Sequence, residues 1–474
     1  MATDELDPPR ATDAVAGDGQ ELSAHGLHAN TLSTYELLAQ SVAGIAPSAV
    51  MATGPALVAL GAGDSVLYSY IASTIVMVLV GWCISQFAKR EGEDGTLLTY
   101  VRRAFGPAAG FVSAVALCFG YLCIAIACVA GIVMYAAPLL ALVGISDGTA
   151  YAVILAAVVM VLAIYTMIRG VHLSTRIGMA LEVLSILAIL AVLVAVLAKF
   201  GLNAAPLEPS DLGISGVTGG MVLAILGYVG FESAANLGTE AKDQAHSVPR
   251  AVIGSALVVG LLYLFSAYAE LLGFGGGAGL SASTAPLNDL ATNAGVSPLG
   301  YLVDVGAVAS FFACITGSLN AASRLTFQIA EEGFLPTSFG RAHPEHMTPH
   351  RSIVLLGAIA AVLAIVTLPW LGPLQVFGVF GTIGTYGYMV SYILVSFGVI
   401  RYLAQRRANL VLPAVIGIVA GGALIFVLVR NVYPAPAFPF NVLPWIFLAF
   451  LMITAAWYVV GARRGSKEVG THIT

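Results

Sequence analysis

The sequence contains little charge. Only 9% of its 474 residues are charged, whereas 59% are hydrophobic and the mean hydropathy is +0.92. A soluble domain carries about 25% charged residues, so a soluble protein of this composition would have too few polar side chains to cover its surface. The scarcity of charge therefore predicts that lipid is the solvent for most of the chain.

Long apolar runs are abundant, and none of them alternates in the way a membrane β-strand does. Each is long enough to cross a bilayer as a helix, which requires about 20 residues, and helices are then the only way to satisfy the backbone in lipid. The twelve runs, named segments 1 to 12, lie near residues 36–60, 65–88, 107–140, 150–168, 176–198, 215–235, 250–274, 298–323, 352–369, 372–400, 410–430 and 443–461.

Basic residues are almost absent from one set of predicted loops. With the N-terminus in the cytoplasm, the outer loops hold only Lys199 and Arg430, and the other 18 of the 20 lysines and arginines face the cytoplasm. Cytoplasmic loops of membrane proteins carry such an excess. A miscounted segment would invert every later loop, so the asymmetry predicts a multi-pass protein of the cell membrane with both termini in the cytoplasm.

Cysteine is also scarce, and motifs for energy coupling or catalysis are missing. The sequence has no Gly-x-x-x-x-Gly-Lys-[Ser/Thr] and no His-Glu-x-x-His pattern. We therefore expect no nucleotide-driven pump, no enzyme, no cofactor, no metal site and no nucleic-acid partner. The five cysteines fall inside apolar segments, which predicts packing residues rather than a disulfide framework: Cys83, Cys118, Cys123, Cys128 and Cys314.

Segments 1 and 6 are interrupted by residues that break helices. Segment 1 contains Gly44-Ile45-Ala46-Pro47-Ser48, and proline lacks the backbone N–H and clashes with the preceding turn. Segment 6 contains Gly227-Tyr228-Val229-Gly230-Phe231, with Glu232 directly after. The two segments are five apart and so run in opposite directions, as an inverted repeat requires. These ten residues are predicted to hold a small solute at mid-membrane, although glycine also serves close helix packing.

Three pairs of stretches resemble motifs of one family. They are Gly95-Thr96-Leu97-Leu98-Thr99-Tyr100-Val101 before Gly106-Pro107, Gly230-Phe231-Glu232-Ser233 before Val248-Pro249-Arg250-Ala251-Val252, and Ala322-Ser323-Arg324-Leu325 before Glu332-Gly333-Phe334-Leu335-Pro336. In this order they resemble the amino acid–polyamine–organocation (APC) permeases over about residues 33–400. The resemblance implies an all-α fold with a core of five-plus-five inverted repeats, unwound segments 1 and 6 that hold the polar head of a solute, and two peripheral segments.

The sequence departs from the family pattern in segment 1. Many amino acid carriers of the family have Gly-x-Gly there, whereas this chain has Ala46 in place of the second glycine, followed by Pro47. Fewer backbone N–H groups are then available to a substrate carboxylate. The resemblance implies a secondary transporter of amino acids or related amines that works by alternating access, and the departure keeps other small organic cations and solute exchange as alternatives.

Four acidic residues stand out in the interior of apolar segments, where ionisable groups are costly and usually functional. Glu182 in segment 5 and Glu232 beside the break in segment 6 are predicted to take part in proton coupling. Glu232 has a second interpretation, in which it braces the unwound backbone. Glu270 and Asp304 lie nearer the outer ends of segments 7 and 8, and we expect them to be interfacial residues that reach water.

Sodium is the alternative coupling ion. It would bind segment 1 carbonyls together with the hydroxyls of Thr316 and Ser318 in segment 8. A channel would need a continuous polar stripe, and a membrane-embedded enzyme would need a polar catalytic cluster. The segments offer neither.

Residues 1–32 are predicted to form a disordered acidic cytoplasmic tail, residues 33–400 the transport core, and residues 401–474 two further membrane segments with a short tail. The sequence makes no prediction of oligomeric state.

Overall fold

All elements formed by the described residues are helical. The computed structural model describes residues 33–90, 96–145, 148–169, 175–208, 213–236, 241–340, 348–407 and 409–471. The α-helices are α1 Thr34–Ile45, α2 Pro47–Ala62, α3 Val66–Ala88, α4 Leu97–Phe105, α5 Pro107–Ala141, α6 Thr149–Ile168, α7 Thr175–Phe200, α8 Ile214–Leu226, α9 Ser233–Asn236, α10 Gln244–Phe274, α11 Gly277–Ala282, α12 Pro286–Ala294, α13 Ser297–Glu331, α14 His350–Leu371, α15 Pro373–Gln405, α16 Val411–Arg430 and α17 Leu443–Thr471.

The helices correspond to the predicted segments. Within the described ranges, ten stretches are long and apolar enough to cross a membrane, and one of them, Pro47–Ala88, contains both α2 and α3. The helix α8 is shorter, with 13 residues. Segment 1 is therefore α1 with α2, and segment 6 is α8 with α9. The predicted all-α membrane fold with two broken segments is confirmed, whereas the predicted tail 1–32 lies outside the described residues.

The helices α5 and α15 pack with their backbones in close contact. A Cβ on Gly120 of α5 would lie 3.0 Å from the carbonyl oxygen of Gly384 of α15. Further along the same pair, the hydroxyls of Ser113 and Ser391 are hydrogen-bonded at 2.8 Å. Small residues let membrane helices approach this closely. We call this contact the α5–α15 seam.

The stretches that resemble family motifs meet at one end of the bundle. Arg102 of α4 forms an ion pair with Glu332, just after α13, with 2.8 Å between Nη1 and Oε1. Phe111 of α5 packs on Phe334 with 4.4 Å between ring centroids. Tyr458 of α17 stacks on the same Phe334. Two motifs more than 200 residues apart in the chain thus form one cluster.

The expectation that Glu270 and Asp304 reach water is wrong. Both side chains are fully buried, at 0% exposure. Nearness to the end of a helix does not bring them to the interface because the short helices α11 and α12 and the helix α2 pack over this end of α10 and α13. Asn288 of α12 donates a hydrogen bond to Asp304 Oδ2 at 2.5 Å, so the carboxylate is covered by the loop that follows α10.

Candidate solute site at the two helix breaks

The break in segment 1 falls at Ala46. This residue has φ 54° and ψ 58°, the left-handed conformation that non-glycine residues seldom adopt. A residue that precedes proline is disfavoured in the right-handed helical region, and Pro47 has no N–H to continue the ladder. The helix α1 therefore ends at Ile45, and α2 begins at Pro47.

The break in segment 6 covers residues 227–232. The backbone there forms successive turns in which an N–H bonds the carbonyl three residues earlier, including Val229 to Leu226 at 3.1 Å and Phe231 to Tyr228 at 3.1 Å. Gly230 has φ 101°, which an L side chain rarely adopts. The glycine is what allows α8 to end and the short helix α9 to start in a new direction.

The two breaks face each other. A Cβ added to Gly230 would lie 2.7 Å from the carbonyl oxygen of Gly44, and one added to Gly44 would lie 3.2 Å from Ser233 Oγ. Gly44 is exposed, and Val229 and Gly230 are partly exposed. Access to the breaks is therefore from the side of α1 and α9. The other predicted site residues are buried: Ile45, Ala46, Pro47, Ser48, Gly227, Tyr228 and Phe231.

No N–H in the first turn of α2 is available to an incoming anion. Pro47 has none, and the N–H of Ser48 donates to Oε1 of Glu182 at 2.8 Å. The N–H groups of Ala49 and Val50 both donate to the carbonyl of Ala46, at 3.1 Å and 3.4 Å. The predicted residue Glu182 of α7 thus occupies the helix N-terminus, which is the place that favours a negative charge.

The end of α1 presents the opposite polarity. The last carbonyls of a helix have no partner within it, and in the described part of the chain no donor is bonded to the carbonyls of Gly44 or Ile45. The C-terminus of a helix attracts cations. With the Glu182 carboxylate beside the same break, the local groups are suited to an ammonium head rather than to a free carboxylate.

Side chains satisfy the unwound turn of segment 6. Glu232 Oε2 accepts from the Gly230 N–H at 3.1 Å and from the Tyr392 hydroxyl at 3.0 Å. The Ser41 hydroxyl donates to the Phe231 carbonyl at 2.7 Å, and the Tyr263 hydroxyl donates to the Gly227 carbonyl at 2.6 Å. Glu232 thus braces the broken backbone, as its second interpretation proposed.

Sequence reasoning did not identify Ser41, Tyr263 or Tyr392. Tyr392 lies 160 residues after Glu232, and nothing in its local sequence distinguishes it from neighbouring tyrosines. The hydroxyl of Tyr228 is also engaged, at 2.5 Å from Thr74 Oγ1 of α3. A break leaves backbone groups unpaired, and these groups need polar side chains from neighbouring helices as partners. This general requirement was the only indication that such residues exist.

The structure does not join Thr316 and Ser318 to the break in segment 1. Thr316 donates to carbonyls of its own helix, Phe312 and Ala313, at 3.3 Å and 3.0 Å. The Ser318 hydroxyl lies 3.9 Å from Cys314 Sγ. Among the residues described, neither hydroxyl is hydrogen-bonded to α1 or α2, and sodium coupling through them stays a prediction.

Comparison with known families agrees with this architecture. The family model described as amino acid permease matches residues 30–462. The chain belongs to this family. The permease is 26% identical over 402 residues to the branched-chain amino acid permease BcaP of Lactococcus lactis subsp. cremoris, and the match covers 81% of this chain and 83% of that protein.

Other relatives have different solutes in their names. The methylthioribose transporter of Bacillus subtilis is 25% identical over 348 residues, covering 71% of the permease and 75% of the relative. Among solved structures, a mutant form of the manganese transporter of Eremococcus coleocola superposes with a TM-score of 0.58 over 91% of the permease and 96% of that chain, at 15% identity. That likeness concerns the fold alone.

Proposed function

We propose that the permease is a secondary carrier of amino acids or related amines in the cell membrane, and that it works by alternating access. One observation carries the proposal: two broken segments of opposite direction face each other, accessible from one side and buried on the other. Such breaks place unpaired backbone groups at mid-membrane, where secondary carriers bind their solutes. The amino acid class in the name of BcaP supports this class of solute.

The Ser48–Glu182 hydrogen bond favours an amine as the solute. An amino acid needs a donor for its carboxylate, and the first turn of α2 has none free. An amine needs only acceptors, which the carbonyl end of α1 and the Glu182 carboxylate supply. An amino acid would enter this site only after Glu182 had left the Ser48 N–H.

The experiment compares leucine with 3-methylbutylamine, the same side chain without the carboxylate. Purified permease in proteoliposomes should show saturable uptake of 3-methylbutylamine in preference to leucine, and faster exchange when the same compound is inside. The ligand that binds should also raise the unfolding temperature of the purified protein. If neither solute, nor any from a panel of amino acids and amines, gives saturable uptake, the carrier proposal fails. Preference for leucine would reject the amine assignment alone.

Coupling to protons is proposed through Glu182. Glu182→Gln keeps an oxygen that can accept from the Ser48 N–H but removes the titratable group. Exchange of solute across the proteoliposome membrane should persist, because the carbonyl end of α1 still accepts from the ammonium group. The half-saturation concentration for an amine should rise about tenfold, since the contact with the charged carboxylate, worth about 1.5 kcal/mol, is lost. Acceleration of uptake by an inward proton gradient should disappear. A Gln variant that still accumulates solute in response to that gradient would reject Glu182, and a response to sodium alone would move attention to Thr316 and Ser318.

A further inference from the structure

Pro55 leaves one carbonyl of α2 without its helical partner. In an α-helix the carbonyl of Met51 would accept from the N–H of residue 55, and proline has no N–H to give. Pro55 lies inside α2. The hydroxyl of Ser266 on α10 lies 3.3 Å from this carbonyl oxygen and donates to it. The missing backbone bond is thus replaced by a side chain from another helix.

The same hydroxyl also contacts a buried carboxyl group. Ser266 Oγ lies 2.6 Å from Oε1 of Glu270, one turn further along α10. A serine hydroxyl has one hydrogen and accepts with its lone pairs. It cannot donate to the Met51 carbonyl and to Glu270 at once, so one of the two contacts needs its hydrogen from elsewhere. The only other atom in these two contacts that can supply one is the oxygen of a protonated Glu270.

The count of hydrogens distinguishes the two forms of Glu270. When Glu270 is protonated, it donates to Ser266, and Ser266 donates to the Met51 carbonyl, so every contact has its hydrogen. When Glu270 is ionised, it takes the Ser266 hydrogen, and the Met51 carbonyl is left bare in the protein interior. A buried acceptor without a donor is costly, and so is a buried charge without a partner.

The surroundings of Glu270 supply no compensation. The side chain is 0% exposed, and its Oε2 has no hydrogen-bond partner. The titratable side chains near enough to interact electrostatically with Glu270 include Tyr70 of α3 and Tyr135 of α5. Asp304 of α13 and Asp289 of α12 are within the same range of Tyr135. Among the described residues, no lysine, arginine or histidine forms an ion pair with Glu270, so no cation is in contact with the carboxylate to stabilise its charge.

We propose that Glu270 is a proton-binding site, and that its proton links α10 to α2 through Ser266 and the Met51 carbonyl. The link reaches α2 less than two turns after the break at Ala46, on the half of segment 1 that carries Ser48. A second link, from the Tyr135 hydroxyl to the Ala52 carbonyl, does not involve Glu270. Loss of the proton therefore removes this hydrogen bond between α10 and α2, while the hydrogen bond from α5 stays.

Hydrogen exchange of the solute-free permease in lipid nanodiscs tests this proposal without any assumption about the solute. After correction for intrinsic chemistry, exchange of the α2 amides should be about fivefold faster at pH 8 than at pH 5, the change in local opening that one lost hydrogen bond produces. Glu270→Gln, whose amide can still donate to Ser266, should be slow at both pH values. Ser266→Ala should be fast at both.

Asp304→Asn is the matched control, because Asp304 is equally buried and lies outside the Ser266 link. It should keep the wild-type pH response. Infrared difference spectra between the two pH values should contain a carboxylic-acid band that is lost in Glu270→Gln. Wild-type exchange that does not depend on pH, or a response removed by Asp304→Asn and kept in Ser266→Ala, would overturn the proposal. If Glu270→Gln fails to fold, Ser266→Ala and Asp304→Asn still decide between these outcomes.

Discussion

The buried carboxylates at the two helix breaks differ from those beneath the short helices α11 and α12. Glu182 and Glu232 accept from backbone N–H groups that the breaks leave unpaired, those of Ser48 and Gly230. The contacts of Glu270 and Asp304 are instead with side chains, Ser266 and Asn288. A backbone N–H has a fixed direction, whereas a hydroxyl can turn its hydrogen to another acceptor. The first pair therefore holds the broken backbone in place, whereas the protonation of Glu270 decides which acceptor the Ser266 hydroxyl serves.

The short helices above Glu270 and Asp304 are predicted to lie outside the cell, and the largest expected effect tests that orientation. A single cysteine at Thr292, exposed on α12, should react with a membrane-impermeant thiol reagent in intact cells. One at Thr337, exposed after α13, should react only after lysis. Cys83, Cys123 and Cys128 are buried, and the unsubstituted protein gives the background. The reverse pattern would place the N-terminus outside and exchange the two ends.

Gly230→Ala should produce the next largest effect. The added Cβ would lie 2.7 Å from the Gly44 carbonyl oxygen and would hold alanine at φ 101°. The two breaks must then separate, and a displacement of about 1 Å at a binding site can reduce rates about 100-fold. The rate of solute uptake in proteoliposomes measures this effect.

Gly422→Ala is the control for this substitution. Gly422 lies in α16, and a Cβ there meets nothing within 4 Å. Alanine favours a helix more than glycine does, so this variant should transport normally. Equal uptake by the two variants would show that the breaks tolerate separation and would remove Gly230 from the site.

Tyr392→Phe should have an intermediate effect on the break in segment 6. It removes a hydrogen bond to the buried Glu232 carboxyl group, a loss of about 1.5 kcal/mol. Thermal unfolding of the purified permease measures this loss of stability. Tyr388→Phe is the matched control, because Tyr388 is equally buried in the same helix and its hydroxyl has no partner. If both variants lose the same stability, the Tyr392–Glu232 bond contributes nothing specific.

The smallest effect is expected where a carboxylate is exposed. Arg102 and Glu332 form an ion pair in which the side chains are 53% and 38% exposed. Exposed pairs contribute about 0.2–1 kcal/mol, so Arg102→Ala should shift the unfolding temperature little, and less in high salt. If Arg102→Ala lowered stability as much as Tyr392→Phe, burial would not determine how strongly these carboxylates interact with their partners.

The parts of the fold governed by local chemistry could be predicted from the sequence. Pro47 and Gly230 interrupt the helical backbone through their own chemistry, so the two breaks and the membrane segments followed from the residues themselves. The partners of the breaks could not be predicted, because Glu182 reaches Ser48 across 134 residues and Tyr392 reaches Glu232 across 160. The burial of Glu270 could not be predicted, because its distance from the helix end does not show which short helix packs above it.

The α5–α15 seam has a consequence for the moving parts of the permease. Helices whose backbones meet at glycine cannot rotate or slide past each other without losing contact along their whole length. Tyr392 belongs to α15 and lies immediately beyond Ser391 of the seam. The turn that joins α8 to α9 is thus connected, through Glu232, to this closely packed pair of helices. We expect α15 to serve as the fixed reference against which the halves of segments 1 and 6 change their angle.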